Sequence, residues 1–295
     1  MLNIKYLVPR ITFWLFRFKT LDRVKRIFGS VKAPCFLSRS LFNFDFYVDV
    51  SRGATQQLLY LEGERLIYER FLIGDLLKKG MRIVDVGANI GYYLLMFERS
   101  VGDEGEVICI EPSVENLPEL RKNIEMNRFS NVKLFEVAVG MEEGKTEMYE
   151  GINSGIAESG KGAYEVGLKR LDSIVNGKVD FLKIDVEGYE GQVIKGSMNL
   201  IGRQRPVLFL ELHPHIVIRY GFSIKSILDE LSQYYKEITL YEYFRPEKTG
   251  FLTKTAFRYF GLNPVVRIKD VENYINTYNS GTIIHTFWAV CLDVK

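Results

Sequence analysis

Cysteine and histidine are both scarce in this 295-residue chain, at three of each. Cys35, Cys109 and Cys291 share no metal-ligand spacing, so a disulfide scaffold and a structural zinc site are both excluded. Cys109 and Cys291 lie inside apolar, strand-like runs where a thiol packs as a small hydrophobe, and the pattern fits a reducing, cytoplasmic setting. Long apolar runs are missing too. Near the N-terminus the longest uncharged stretch, Ile11 to Phe16, falls far short of the roughly 18 residues of a membrane span, and Arg17 and Lys19 interrupt any signal-peptide core. Repeats and low-complexity tracts are absent, and 47% hydrophobic with 26% charged residues describes a globular chain.

The formal net charge of +2 conceals an asymmetry: residues 1–32 carry eight Lys/Arg against Asp22 alone, which leaves the remainder acidic. Ile11, Trp14, Leu15, Phe18 and Leu21 follow Pro9 at helical spacing. The segment reads as one basic amphipathic helix. It either docks on the protein's own body or lies in the plane of an anionic membrane surface through residues 9–28, at the inner face of the membrane. Residues 33–80 read as a lead-in covering the sheet, with a strand in "FNFDFYVDV" and a helix in "EGERLIYERFLIGDLL".

From Met81 onward, short β-branched runs alternate with helical patterns, the signature of βαβ units and a parallel sheet covered on both faces. Strands are expected at residues 82–86, 107–111, 133–137, 181–185 and 207–212, with helices over 92–99, 114–126, 190–200 and 223–234. Two later strands, 237–243 and 283–293, close the sheet. An insertion at 244–281 with six Lys/Arg and several aromatics separates them, long enough to carry structure or function of its own.

The first of these strands runs into "DVGANIGYY": Asp85, then Gly87, Ala88, Asn89 and Gly91, then a helix. Such a loop sits where open α/β sheets bind ligands. Glu111 ends the next strand twenty residues after Gly91, the usual place for a carboxylate that accepts ribose hydroxyls. Loop and acid together point to an adenosine-containing ligand. A dinucleotide site would carry G-x-G-x-x-G facing a pyrophosphate; here the glycines are spaced G-x-x-x-G behind Asp85, whose carboxylate repels phosphate and suits the ammonium and sulfonium of S-adenosylmethionine.

"VDVGANIGYY", "IEPSVENLPELRKNIEMN", "NVKLFEVAVG", "LKIDVEGYEGQVIKG" and "PVLFLELHP" follow one another in an order and at spacings that resemble the FkbM family of S-adenosylmethionine-dependent methyltransferases. The resemblance covers residues 55–215, then 223–243 and 283–293 more thinly, and "KIDVEGYE" is its least generic piece. It implies an α/β class I methyltransferase fold, Rossmann-like, with a seven-stranded, mostly parallel sheet ending in an antiparallel hairpin. It also implies methyl transfer to a hydroxyl oxygen, with saccharides, glycolipids and secondary metabolites as acceptors. Carried over position by position, Asp85, Gly87, Ala88, Asn89 and Gly91 would line the methionine and ribose part, Glu111 would hold the ribose hydroxyls, and Ala138 would lie near adenine. The insertion at 244–281 and the basic N-terminal helix depart from the family.

An alcohol must lose its proton as the new bond forms, so a base is expected at the strand ends. Asp185 and Glu187 follow the fourth strand, and Glu211 and His213 the fifth. Histidine needs little perturbation to move protons near neutrality, so His213 is the expected base or acceptor-orienting group. Asp185 is the expected carboxylate nearest the methyl and the methionine ammonium, and Glu187 a binder of acceptor hydroxyls. As plain structure, Asp185 or Glu187 would cap the following helix. Asp185, Glu187 and Glu211 supply oxygen ligands suited to magnesium, but the Asp-Asn pair of metal-dependent enzymes is absent after the fifth strand, so no metal is expected; His285 reads as a core residue.

Three rivals are weighed. A nucleic-acid methyltransferase acting on a base amine would carry an Asp/Asn-Pro-Pro-aromatic run where this chain has "DVEGYE", and the acidic main body lacks a phosphate-reading face. A nicotinamide oxidoreductase conflicts with the glycine spacing. A non-catalytic module that keeps the fold conflicts with the intact loop and acid.

Overall fold

The computed structural model describes residues 35–53, 56–57, 59–60, 69, 72–149, 163–243, 265–279 and 286–293. The basic helix expected at 9–28, most of the helix expected at 62–77, residues 244–264 of the insertion, and His285 lie outside them.

The described chain opens with an antiparallel hairpin, β1 (Phe36–Leu41) and β2 (Phe44–Asp49), turned at Phe42 and Asn43. Both turn residues have positive φ, 53° and 73°, the left-handed backbone that matches the twist of paired strands. Next come β3 (Arg82–Val86), β4 (Glu106–Ile110) and β5 (Val132–Phe135). A side excursion follows: β6 (Ala138–Val139), β7 (Gly144–Tyr149) and β8 (Ala163–Lys169) form a separate three-stranded sheet. The chain then returns for β9 (Phe181–Ile184), β10 (Val207–Leu212), β11 (Glu237–Tyr243), β12 (Val265–Arg267) and β13 (Phe287–Leu292).

The main sheet runs in the order β12-β11-β13-β10-β9-β3-β4-β5. From β10 to β5 all neighbours are parallel, whereas β13 lies antiparallel to both β10 and β11. The seven-stranded frame is therefore present, and the expected count needs one correction. Part of the insertion supplies an eighth strand, β12, antiparallel on the β11 edge. A second correction concerns the helix expected at 190–200, which is two helices, Glu190–Gly196 and Met198–Gln204, broken at Ser197. A side chain on Gly196 would sit 2.0 Å from the carbonyl oxygen of Gly140, so the first helix ends where it meets the backbone leaving β6.

Because alternate residues of a strand face opposite sides, each parallel strand feeds two cores. Val84, Ile108, Leu182 and Leu208 pack beneath the helices at 190–204 and 224–232. Ile83, Val107, Phe181 and Phe209 pack against helix Tyr92–Val101 and Trp288. That helix is buried nearly all round, since Tyr92 and Leu95 on its outer side meet Phe46 and Val48 of the hairpin; a helix apolar on every face needs such a second cover. Polar clamps fix the hairpin to helix Leu117–Met126: Asn123 Oδ1 accepts from Tyr47 N at 2.6 Å and Glu119 Oε2 from Asp49 N at 2.7 Å.

Strand order reverses direction between β3 and β9. This topological switch point opens a crevice at the carboxyl ends of the strands, where Asp85, Gly87 and Asp185 come together.

Candidate active site

The loop after β3 closes tightly over β9. Gly87 has φ +86°, and a Cβ there would lie 1.8 Å from the carbonyl oxygen of Asp185, so only glycine fits. Every backbone N–H from 87 to 91 already has a partner inside the protein. Gly87 and Ala88 both donate to Ile110 O, Asn89 donates to Glu111 Oε2 at 2.7 Å, Ile90 to Asn89 Oδ1 at 2.8 Å, and Gly91 to Ala88 O. A loop with no donor in hand makes a poor phosphate cradle, which excludes a dinucleotide more firmly than the charge of Asp85 did.

Asp85 itself sits behind the site. It is fully buried, and its Oδ1 lies 3.0 Å from Lys183 Nζ, on the residue paired with it in the β3–β9 register. Oδ2 has no hydrogen-bond partner among the described residues. Burial pushes the Asp85 pKa up against the pull of Lys183, while for Lys183 the neighbouring carboxylates outweigh burial and hold it well above its ordinary value. Lys183 was missed in the sequence, although a lysine inside a four-residue strand buried on both faces demands a buried partner.

Glu111 stands where expected. Besides Asn89, it accepts from Ser113 N at 2.9 Å and Asn116 Nδ2 at 3.2 Å, both at Oε1. Burial raises its pKa, and those three donors oppose the rise. Oε2 takes one protein donor and so has acceptor capacity left for a hydroxyl. Ala138 is not drawn into this constellation; its side chain packs with Met148, Val166 and Leu168 in the small sheet.

The four expected chemistry-bearing residues do converge. Asp185, Glu211 and His213 each bring one oxygen or nitrogen within 4.8 Å of the others, and Glu187 Oε2 lies 3.3 Å from His213 Nε2. Glu187 and Gly188 have φ of 50° and 101°. Two consecutive left-handed residues swing Glu187 back over His213, and the strain of a non-glycine residue there is a mark of functional sites. Neither Asp185 nor Glu187 caps the next helix. The helix has no side-chain cap; Glu190, its first residue, instead turns back, its Oε1 accepting from Gly188 N at 2.9 Å and lying 2.7 Å from His213 Nδ1.

This second pairing bears on the two roles expected of His213, base or acceptor-orienting group, and favours the second. Burial works to lower its pKa, but the hydrogen bond and charge of Glu190, with Asp185 and Glu187 behind, raise it to about 9. At neutral pH His213 carries its proton and donates hydrogen bonds; it does not abstract protons. Glu211 has moved the other way. Burial and the charges of Asp185 and Glu69 push its carboxyl well above the ordinary range, with Trp288 Nε1 3.4 Å from Oε2. A carboxylate whose pKa is raised is the stronger base when ionised. The cluster's spacing would admit a hard cation, and the Lys183 ammonium, 3.6 Å from Asp185, opposes one.

Sheet order, switch-point loop and ribose-type carboxylate define a class I methyltransferase, the class that takes its methyl group from S-adenosylmethionine. The residues fit that cofactor: a half-open Asp185, with 24% of its side chain exposed, for a cationic end, and Glu111 with acceptor capacity for ribose. A sequence profile of the methyltransferase FkbM domain matches residues 85–238, more than half the chain, and the protein belongs to that family. Among solved structures, the FkbM methyltransferase from Methylobacillus flagellatus is similar at 18% identity and TM-score 0.44, over 65% of this chain and 50% of that one, so this chain spans about half its length. A SAM-dependent O-methyltransferase from Thermotoga maritima is similar at 14% identity and TM-score 0.42, over 89% and 86% of the two chains. Aeropyrum pernix fibrillarin, in complex with natively bound S-adenosyl-L-methionine, is similar at 16% identity and TM-score 0.36, over 55% and 61%. No curated protein matches the sequence. Among the described residues no helix is long and apolar enough to cross a membrane.

Proposed function

We propose that this protein is an O-methyltransferase that transfers a methyl group to a hydroxyl of a saccharide, glycolipid or secondary metabolite. The observation that carries the reading is the division of labour at the ends of β9 and β10. Glu211, raised by burial, is the proton acceptor, and His213, held protonated by Glu190, is a fixed donor beside it. An alcohol needs this arrangement, one group to take its proton and one to hold its oxygen in line.

When bound, S-adenosylmethionine supplies an electrophilic methyl group on a sulfonium. Glu111 and Asn89 would hold its ribose side, and Asp185 its cationic end. Glu211 takes the hydroxyl proton, and Glu187, with 38% of its side chain exposed, binds a neighbouring hydroxyl. Asp185, Glu187, Glu211 and the buried Glu69 make the site acidic, which favours neutral polyols over phosphorylated acceptors and weighs against nucleic acid. Incubation with labelled S-adenosylmethionine tests the proposal against neutral oligosaccharides, glycolipids, acidic glycans and RNA. Label on neutral hydroxyl compounds supports it, and label confined to nucleic acid overturns it. Peripheral contact of residues 9–28 with an anionic membrane surface is proposed from the sequence alone, and vesicle flotation with and without residues 1–30 tests it.

A further inference from the structure

Lys183 has no part in the chemistry described so far, yet its ammonium group touches every element of the switch point. It lies 3.0 Å from Asp85 Oδ1 on β3, 3.4 Å from Gly87 O in the glycine loop, 3.6 Å from Asp185 Oδ2 beyond β9, and 4.4 Å from the centroid of the Tyr93 ring on the following helix. An ammonium has three donors, and three acceptors surround it, with an aromatic face alongside. The Lys183 side chain is 1% exposed and Asp85 is sealed with it, so water does not screen that pair.

Two carboxylates therefore flank one buried cation, and they differ in access. Asp85 is sealed, whereas Asp185 is open to the crevice. The other titratable groups facing the ammonium are Glu211 from β10, Glu187 beyond Asp185, Cys109 from β4 and Tyr93. His213, within 4.8 Å of Asp185, is a second cation, paired with Glu187 and Glu190; among the described residues Lys183 is the cation that contacts both Asp85 and Asp185. Without it, Asp85 and Asp185 would face each other as like charges in a low-dielectric interior, and the pair would retain a proton.

We propose that Lys183 is a positioning residue for methyl transfer: its ammonium bridges the Asp85 and Asp185 carboxylates, fixes Asp185 at the mouth of the glycine loop, and ties that loop to β9 through Gly87. The inference rests on the reading that Asp185 meets the cationic end of the cofactor. Lys183 acts through Asp185 and touches neither cofactor nor acceptor.

The test uses the full chain, with S-adenosylmethionine titrated calorimetrically from pH 6 to pH 9 into the wild type, Lys183→Met, and the double variant Asp85→Asn/Lys183→Met. The wild type is expected to bind with a flat pH profile. Lys183→Met is expected to bind at least ten-fold more weakly near pH 6 and to recover as pH rises and the stranded pair ionises. The double variant, which removes the sealed carboxylate together with its cation, is expected to return affinity to within about three-fold of wild type and to flatten the profile. If Lys183→Met bound with wild-type affinity at every pH, the proposal would be overturned. A loss equal at all pH values and not restored in the double variant would overturn it too, since that is the signature of packing alone. Should Lys183→Met fail to fold, the double variant decides: weak or pH-dependent binding there refutes the proposal. Asp185→Asn separates the underlying reading, because unchanged affinity in that variant removes Asp185 from the cofactor site whatever Lys183 does.

Discussion

His213 Nδ1 lies 2.7 Å from Glu190 Oε1, a buried contact that turns the residue best suited by type to be a base into a standing cation. Its folded pKa, about 9, exceeds the ordinary value of 6.5. The charged pair therefore contributes stability that is fully present below pH 6.5 and is lost as pH rises through 9, on the order of 3 kcal/mol in all. Imidazole resonances of the wild type should titrate near pH 9, and those of Glu190→Gln well below that. Urea unfolding should show the wild-type advantage over His213→Asn shrinking between pH 7 and pH 10.

Glu211→Gln removes the proton acceptor but keeps the shape. Turnover should fall by roughly 10²–10⁴ with cofactor affinity little changed. In the wild type, turnover should decline as pH falls through the raised pKa of Glu211, and the acid limb of the pH–rate profile should disappear in the variant. Steady-state kinetics from pH 5 to pH 9 measure both.

Glu111→Ala takes an acceptor away from Asn89 N and Ser113 N, as well as from the ribose side of the cofactor. Charge-assisted hydrogen bonds contribute about 1.5–3 kcal/mol each, so calorimetric affinity for S-adenosylmethionine should fall by roughly ten- to a hundred-fold. Retention of wild-type affinity would remove Glu111 from the ribose site.

Gly87→Ala places a methyl group 1.8 Å from Asp185 O at φ +86°. The loop and β9 must separate, at a cost of about 3 kcal/mol or more. A lowered midpoint in thermal unfolding together with loss of cofactor binding is expected. A fully stable, active variant would contradict the packing described.

Arg52, three residues past the hairpin, is linked to Glu111 by relay: Nη1 lies 2.5 Å from Glu119 Oε1, Nη2 2.8 Å from Asn116 Oδ1, and Asn116 in turn reaches Glu111. Glu119→Ala leaves Asp49 N without its acceptor and Arg52 with only Asn116 and Glu115, and should destabilise the protein by about 1–3 kcal/mol. Arg52→Ala should in addition weaken cofactor affinity several-fold, which differential calorimetry and titration together resolve.

The boundaries of β3, β10 and β11 were legible because each is a short, mainly apolar run of strand-forming residues entered from a polar residue or a proline. The three-stranded sheet of β6, β7 and β8 was not legible. β6 is two residues long, and "GKTEMY" and "AYEVGLK" are mostly polar strands that shield one small cluster. Within the site, the positions of Glu111, Asp185, Glu211 and His213 followed from strand endings, while their protonation did not. The partner of His213 is twenty-three residues upstream, on a helix whose approach only the tertiary fold sets. Asp85 shows the same limit: its spacing in the motif located it, and its partner Lys183 was visible only as a lysine in a strand with no room for one.

The closed donor set of the glycine loop has a consequence for competition. ATP and nicotinamide nucleotides share an adenosine with S-adenosylmethionine and differ from it by their phosphates, the groups that an 87–91 backbone already bonded to Ile110, Glu111, Asn89 and Ala88 declines to grip. Selection against those nucleotides would thus rest on hydrogen bonds made within the protein itself.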